Sequence, residues 1–385
     1  MIKKKQNILL FFLLIFSIYC ALSIGQSWDE KFHLLQGKIT LDYLFSLGNI
    51  DNYIQYRENY STIFWSLLYF ITKIFPAQYQ IEISHLVNLF FSLGAIYGIG
   101  KLNEELFNKN VGKIIFLIFF FYPIFFGHMA FNSKDTILAF CHVWITCLII
   151  KYLKNQTNRD KVKNYIIFIA ILAALASGIQ IVFLGSLIPI FFFTLIDIFI
   201  FKRIVNKKFH LKKFYYDVLK CFIIFYLLLM LFWIDAHSNI IFVPFNIVIE
   251  TFSSNYWTGW PFNISNGEYF FSNKASKFYF LINLLYKSPE YFLISYIFFI
   301  LLFFRSKEFF DKRFQFFNYK LFFILLLLIF PNLILFFIPY PIYDGMRLFL
   351  WTLPYFSIIP GLVFFYLFKN INFLKQKLAL IFLLF

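Results

Sequence analysis

Four short stretches of this 385-residue sequence combine residue types capable of acid–base or anion chemistry, and each borders an apolar run. The first is Ser27-Trp28-Asp29-Glu30-Lys31-Phe32-His33. Adjacent carboxylates at the edge of an apolar segment are costly to keep ionised unless water, a metal or a cation faces them. If the stretch is helical, Asp29 and His33 lie one turn apart on one face. A carboxylate so placed can take the proton of a hydroxyl as that hydroxyl attacks; an acidic pair that merely caps the interface is the alternative. The second stretch, Phe126-Gly127-His128-Met129-Ala130-Phe131-Asn132-Ser133-Lys134-Asp135, packs His, Asn, Lys and Asp into eight residues. Asp135 opens the next apolar run, where a helix dipole favours a carboxylate, and Asn132 or Ser133 can cap that helix. Capping leaves Lys134 and His128 unexplained, and a fixed ammonium suits an anionic headgroup.

The third stretch, 236–288 with its flanks, holds Asp235, His237, Glu250 and Glu268. Its run Asn255-Tyr256-Trp257-Thr258-Gly259-Trp260-Pro261 reads as sugar-stacking surface or as an interfacial aromatic belt. The fourth is Pro339-Tyr340-Pro341-Ile342-Tyr343-Asp344-Gly345-Met346-Arg347. Arg347 is either a snorkelling anchor or a bidentate ligand for phosphate.

The elements that must position these residues are membrane helices. Hydrophobic residues make up 61% of the chain against 14% charged, and the mean hydropathy is +0.74. A soluble domain of this length needs more polar surface than that. Apolar runs near the roughly 18–20 residues needed to cross about 30 Å of hydrocarbon recur throughout. They fall at 8–24, 83–100, 114–127, 136–152, 164–178, 180–201, 218–235, 289–304, 321–338 and 347–368, with a fragment at 378–385 too short to cross. The segment after Lys3, Lys4 and Lys5 is long and lacks a cleavage site, so it reads as a retained first helix with a cytoplasmic N-terminus.

Residues 61–75 are apolar but short. If they lie in the interface, 26 of the 35 Lys and Arg residues fall on the cytoplasmic side, as the positive-inside rule requires. Counting them as a crossing would put the heaviest basic clusters outside. They are therefore expected to form an interfacial helix. Four outer loops result: 26–82, 128–135, 236–288 and 339–347. The net charge of +16 is dispersed in short clusters between apolar spans, which argues against a nucleic-acid partner. The cytoplasmic loops carry no nucleotide-binding signature. Cys20, Cys141, Cys147 and Cys221 form no CxxC pair and read as buried apolar residues.

Taken in order, these pieces resemble the GT-C superfamily of lipid-linked-sugar glycosyltransferases. The nearest likeness is to the bacterial branch similar to glycosyltransferase family 39, with its protein mannosyltransferases. Asp29-Glu30 matches an acidic first-loop motif, and Phe126 to Asp135 matches a pattern like F-G-H-x-x-x-N-x-K-D. Asp344-Gly345-Met346-Arg347-Leu348-Phe349 and Pro354 resemble a late D-G-x-R-x-F motif with its following Pro. The stretch from Ser276 to Lys287-Ser288-Pro289-Glu290 resembles the family's aromatic entry to a helix. The turn Ser177-Gly178-Ile179-Gln180 lacks the Arg that the pattern carries.

The resemblance implies an all-α polytopic membrane protein, a single GT-C-like domain over 1–385. It would have about 10–11 transmembrane helices and interfacial helices in the first outer loop; the expected lack of a soluble C-terminal domain is a departure from the family's pattern. It implies an inverting transferase that moves a sugar from a polyprenyl-phosphate carrier to a hydroxyl of a glycan, lipid or protein acceptor. The setting would be the periplasmic face of a bacterial inner membrane. Asp29 would be the base, supported by Glu30. Lys134, Arg347 and His128 would meet the donor phosphate. Asp135, His33 and Asp344 would make further acidic, metal or acceptor contacts. Use of a divalent metal (Mg or Mn) varies across the superfamily, and Asp29 and Asp135 would hold one. The competing reading is a secondary transporter or flippase, which usually places ionisable groups near the midplane. Here the spans are nearly free of them, apart from Asp197, His85 and His142.

Overall fold

The structure, a computed structural model, describes residues 2–48, 61–251, 263–337 and 341–370, with side chains from residue 8 onward and excluding that of residue 251. The helices are α1 (Ile2–Ser23), α2 (Glu30–Phe45), α3 (Ile63–Thr72), α4 (Gln80–Leu106), α5 (Lys109–Phe120), α6 (Pro123–His128), α7 (Asp135–Asn155), α8 (Arg159–Ile179) and α9 (Phe183–Ser186). They continue as α10 (Ile188–Ile196), α11 (Leu211–Leu231), α12 (Phe242–Thr251), α13 (Tyr279–Lys287), α14 (Glu290–Arg305), α15 (Lys307–Arg313), α16 (Phe317–Phe337), α17 (Leu353–Phe356) and α18 (Ile358–Asn370). One antiparallel hairpin, Asn263–Ser265 with Glu268–Phe270, turns on Asn266 and Gly267, both at positive φ as a two-residue hairpin turn demands.

The protein is an all-α polytopic membrane protein. Among the described residues seven segments are long and apolar enough to cross a bilayer: Ala77–Leu106, Asp135–Asn155, Arg159–Ile179, Phe183–Phe201, Leu211–Leu231, Phe317–Phe337 and Arg347–Asn370. An eighth, α13 with α14, is bent by 111° at Ser288-Pro289. Pro289 removes an N–H and biases its predecessor away from the helical region, which accounts for the break. Apolar residues 8–23 of α1 form a shorter apolar helix. The run expected at 114–127 is divided: α5 ends at Phe120 and Pro123 starts α6 as its first residue. The segment 61–75 folds as α3, only ten residues long, too short to cross. The fragment 378–385 lies outside the described residues.

Spans differ in how much protein surrounds them. Arg347–Asn370 and Asp135–Asn155 are 89% and 78% buried over their apolar windows, whereas Leu211–Leu231 is 17% buried. The two most enclosed spans therefore begin with Arg347 and Asp135. Peripheral helices present Phe191, Phe192, Leu219, Phe222, Ile297 and Phe304 outward, as a lipid-facing surface requires.

The basic loops meet at the opposite end of the bundle. Lys154 Nζ bonds the Glu105 carbonyl and carboxylate, Asn206 Nδ2 bonds the Lys154 carbonyl, and Gln156 pairs with the backbone of His210. At that end Asp197 accepts from the backbone N–H groups of Arg203, Ile204 and Val205, an internal cap for the turn after α10. His142 is bonded on both ring nitrogens, to Tyr355 Oη at 2.7 Å and the Ser186 carbonyl at 3.1 Å, which ties α7 to α17.

The buried face of α2 carries Glu30, His33, Leu34, Gly37 and Thr40, the i, i+3, i+4 spacing of a helix lying on a surface. Gly37 sets how closely α3 approaches: a Cβ there would stand 2.1 Å from the Trp65 carbonyl oxygen. Gly37→Ala should therefore push α2 from α3 and destabilise the protein by about 1–3 kcal/mol, the usual cost of overpacking. Gly185→Ala, where nothing lies within 4 Å, should leave stability unchanged. Thermal unfolding of the purified variants in detergent tests both.

Candidate active site

The expected site residues come from three separate interhelical loops at one end of the bundle and converge on Arg347. Its Nη2 donates to Asp29 Oδ2 at 2.6 Å, its Nε to Asp135 Oδ2 at 3.2 Å and its Nη1 to Asp344 Oδ2 at 3.2 Å. One guanidinium thus joins three carboxylates that are up to 318 residues distant along the chain. Five donors in a rigid plane make Arg the one side chain able to do this.

Each carboxylate is delivered by local chemistry. Asp29 occupies the N-cap position of α2, yet its side chain caps nothing and turns to Arg347 instead. Glu30 does the local work: its Oε2 accepts from the Ser27 N–H at 2.6 Å, and its Oε1 lies 2.7 Å from His85 Nε2 on α4. The adjacent carboxylates therefore diverge. Asp29 faces the site, 41% exposed, while Glu30 is sealed in the bundle at 1%.

Asp135 is set by Asn132. The Asn132 side-chain oxygen Oδ1 accepts from the N–H groups of Lys134 and Asp135, at 3.2 and 2.9 Å, closing the turn into α7. Its amide nitrogen donates to Asp135 Oδ2 at 3.1 Å. Asp135 is the first residue of α7, where the helix dipole stabilises its charge. Asp135 Oδ1 is buried with no hydrogen-bond partner among the described residues. Asp344 and Gly345 both have positive φ, 55° and 63°, and the Gly345 N–H donates to Tyr279 Oη at 2.8 Å. This fixes the turn from which Arg347 projects.

The histidines flank this cluster. His33 Nδ1 pairs with Ser133 Oγ at 2.7 Å, and its ring stacks on Trp65 at 4.4 Å. Burial and the nearby Lys134 push its pKa down to about 3, so it is neutral. His128 is lowered by burial, with Arg347 and Lys287 adding to the effect against Asp135 and Asp344. Burial alone would raise the Asp29 carboxyl, but the Arg347 bond and charge, with Lys134, outweigh it and hold Asp29 below the ordinary 3.8. Lys134 caps α7 by position and lies near enough to act on both Asp29 and His33.

All the expected residues except Glu30 thus gather around one guanidinium, and Glu30 lies one residue away in the wall. Sequence reasoning passed over Asn132 as an organiser, Trp65 and Ser133 as the seat of His33, and Lys287, whose Nζ packs over Gly345. The N-x-K-D spacing held the signal for Asn132; the Trp65 and Lys287 contacts are made only by folding. Of the third loop, Asn255, Tyr256, Trp257 and Trp260 lie outside the described residues. His237 bonds the Met230 carbonyl and stands by Tyr43 at the end of α2, away from the cluster. The donor set does not fit a divalent metal. Among the described residues no group of three or more His, Cys, Asp or Glu side chains could hold one, and Asp29 and Asp135 are both turned onto a guanidinium.

Among solved structures the chain is similar to ArnT from Cupriavidus metallidurans in the apo state, a GT-C family glycosyltransferase, with a TM-score of 0.63 and 12% sequence identity. The match covers 97% of this chain and 61% of that one, so the chain spans about three fifths of the length of ArnT. No family model matches the sequence, and no curated protein is similar to it.

A group with a depressed pKa contributes stability that is present above its unfolded value and lost as pH falls through the folded one. The Asp29–Arg347 link should therefore stabilise the protein at neutral pH and fade below about pH 3.8. Arg347→Gln leaves the burial of Asp29 unopposed. The gap in unfolding temperature between wild type and this variant should narrow on acidification. In an Asp29→Asn background that Asp29-dependent narrowing should disappear.

Proposed function

We propose that the protein is an inverting glycosyltransferase that moves a sugar from a polyprenyl-phosphate carrier to an acceptor hydroxyl at the outer face of the membrane. The observation that carries this is the Arg347 junction. It gathers a half-exposed carboxylate, a buried carboxylate and cations at the end of the bundle opposite the basic loops. By the positive-inside rule that end is the non-cytoplasmic one.

The chemistry follows from the charges. Asp29, kept ionised by Arg347, accepts the proton of the acceptor hydroxyl as its oxygen bonds the anomeric carbon. The bond from that carbon to the carrier phosphate breaks on the opposite face, and its electron pair leaves with the phosphate. The donor's single negative charge becomes two on the departing phosphate. The fixed charges of Lys134 and Arg347 favour that growth of charge without having to reorganise. Neutral His128 can add a hydrogen bond but no charge. Glu30 maintains the start of α2 and hence the direction of Asp29. No step here passes through a metal.

Asp29→Asn should lower transfer from a polyprenyl-phosphate sugar by at least about a hundredfold, the low end of general-base effects, while membrane insertion is retained. Wild-type turnover by this variant would remove the base assignment. Lys134→Ala should raise the KM for the donor more than it changes the unfolding temperature; an unaltered KM would leave Lys134 a turn residue only. Single cysteines test orientation. A membrane-impermeant maleimide added outside should label Tyr269→Cys, which is 76% exposed, and should miss Lys312→Cys. The reverse pattern would invert the topology.

A further inference from the structure

The three nitrogens of Arg347 already donate to three carboxylates. Three of its five N–H donors are thereby taken, which leaves at most two for a phosphate. Charge balance raises the same difficulty. Asp29, Asp135 and Asp344 outnumber Arg347 and Lys134 by one, and both His33 and His128 are held towards neutrality by burial. A cluster left one charge negative would repel the phosphodiester it is meant to bind.

Lys287 removes that excess. It is the last residue of α13, directly before the 111° bend into α14, and it is exposed. Its ammonium lies over the Asp344-Gly345 turn: a Cβ at Gly345 would be 2.0 Å from Lys287 Nζ and 3.0 Å from its Cε. Absence of a side chain at 345 is what admits it. The same helix grips this turn a second time through Tyr279 Oη, which accepts from the Gly345 N–H. Lys287 also lies close enough to His128 to depress its basicity. Four acidic residues stand in or beside the site, yet among the described residues Lys287 forms no ion pair and no hydrogen bond through Nζ. An ammonium held in place without an anion is suited to one that arrives with the substrate.

We propose that Lys287 is the direct ligand of the donor phosphate, its Nζ donating to a non-bridging oxygen, while Arg347 orients the carboxylates. This rests on the polyprenyl-phosphate reading above and adds a residue to it. Lys287 stays on the phosphate as that group gains its second charge, so it serves the leaving group as well as binding.

The test uses the full chain in lipid nanodiscs, with polyprenyl monophosphate and the matching neutral polyprenol titrated separately and occupancy read by native mass spectrometry. Wild type should prefer the phosphate by tenfold or more. Lys287→Gln should lower phosphate affinity about tenfold, the usual effect of losing one charge-assisted bond, and leave polyprenol binding unchanged. Lys287→Arg should restore most of the loss. Gly345→Ala, which fills the ammonium's seat without altering the lysine, should reproduce the defect. Phosphate binding by Lys287→Gln equal to wild type would overturn the assignment and leave the transferase reading standing. A wild type that binds phosphate and alcohol alike would overturn the donor reading itself, and the assignment with it.

Discussion

Everything at the outer end of this bundle depends on one cation shared among three acids. Arg347 lies between Asp29, Asp135 and Asp344, and each of these arrives on a different loop. Ionised carboxylates brought this close repel one another strongly, all the more in a partly desolvated setting. Without the guanidinium the loops would separate or their acids would take up protons. Arg347 itself begins one of the two most enclosed spans, and Asp135 begins the other. The junction is thus anchored at the starts of the two most enclosed spans, and Asp29 is brought to it from the start of α2.

Removing one partner from such a junction costs more than the pair's net worth, because the survivors stay partly buried and unpaired. Surface ion pairs elsewhere in the chain, such as Lys38 with Asp42 or Lys312 with Glu308, are well exposed and worth little. The distinction is one of burial. Asp135 is 3% exposed on its side chain and Arg347 23%.

Much of this was legible before folding. Membrane spans follow from hydropathy because a backbone in hydrocarbon must satisfy its own hydrogen bonds, so long apolar runs have few alternatives to helix. Charge asymmetry already argued against a crossing at 61–75, and α3 is too short to make one. The break of 114–127 at Tyr122-Pro123 was less legible, since apolar content alone does not register a helix end. Within the site, residue types and loop order indicated Asp29, Lys134, Asp135 and Arg347. They did not indicate who pairs with whom. The carboxylate partners of Arg347 could not be read from the sequence because they lie 212 and 318 residues away. That Glu30 supports from the wall rather than from inside the site was not legible, because neighbours on a helix differ by about 100° in direction, which a motif does not record. Lys287 gave no signal of its own, since its meaning lies in a glycine 58 positions later.

The crossing of α2 and α3 at Gly37 has a mechanical consequence. With a backbone carbonyl resting where a side chain would be, the two short helices can tilt or sink only together. Arg347, by contrast, begins the most enclosed of the apolar spans. The bond from Asp29 to Arg347 is therefore the joint between this helix pair and the interior of the bundle.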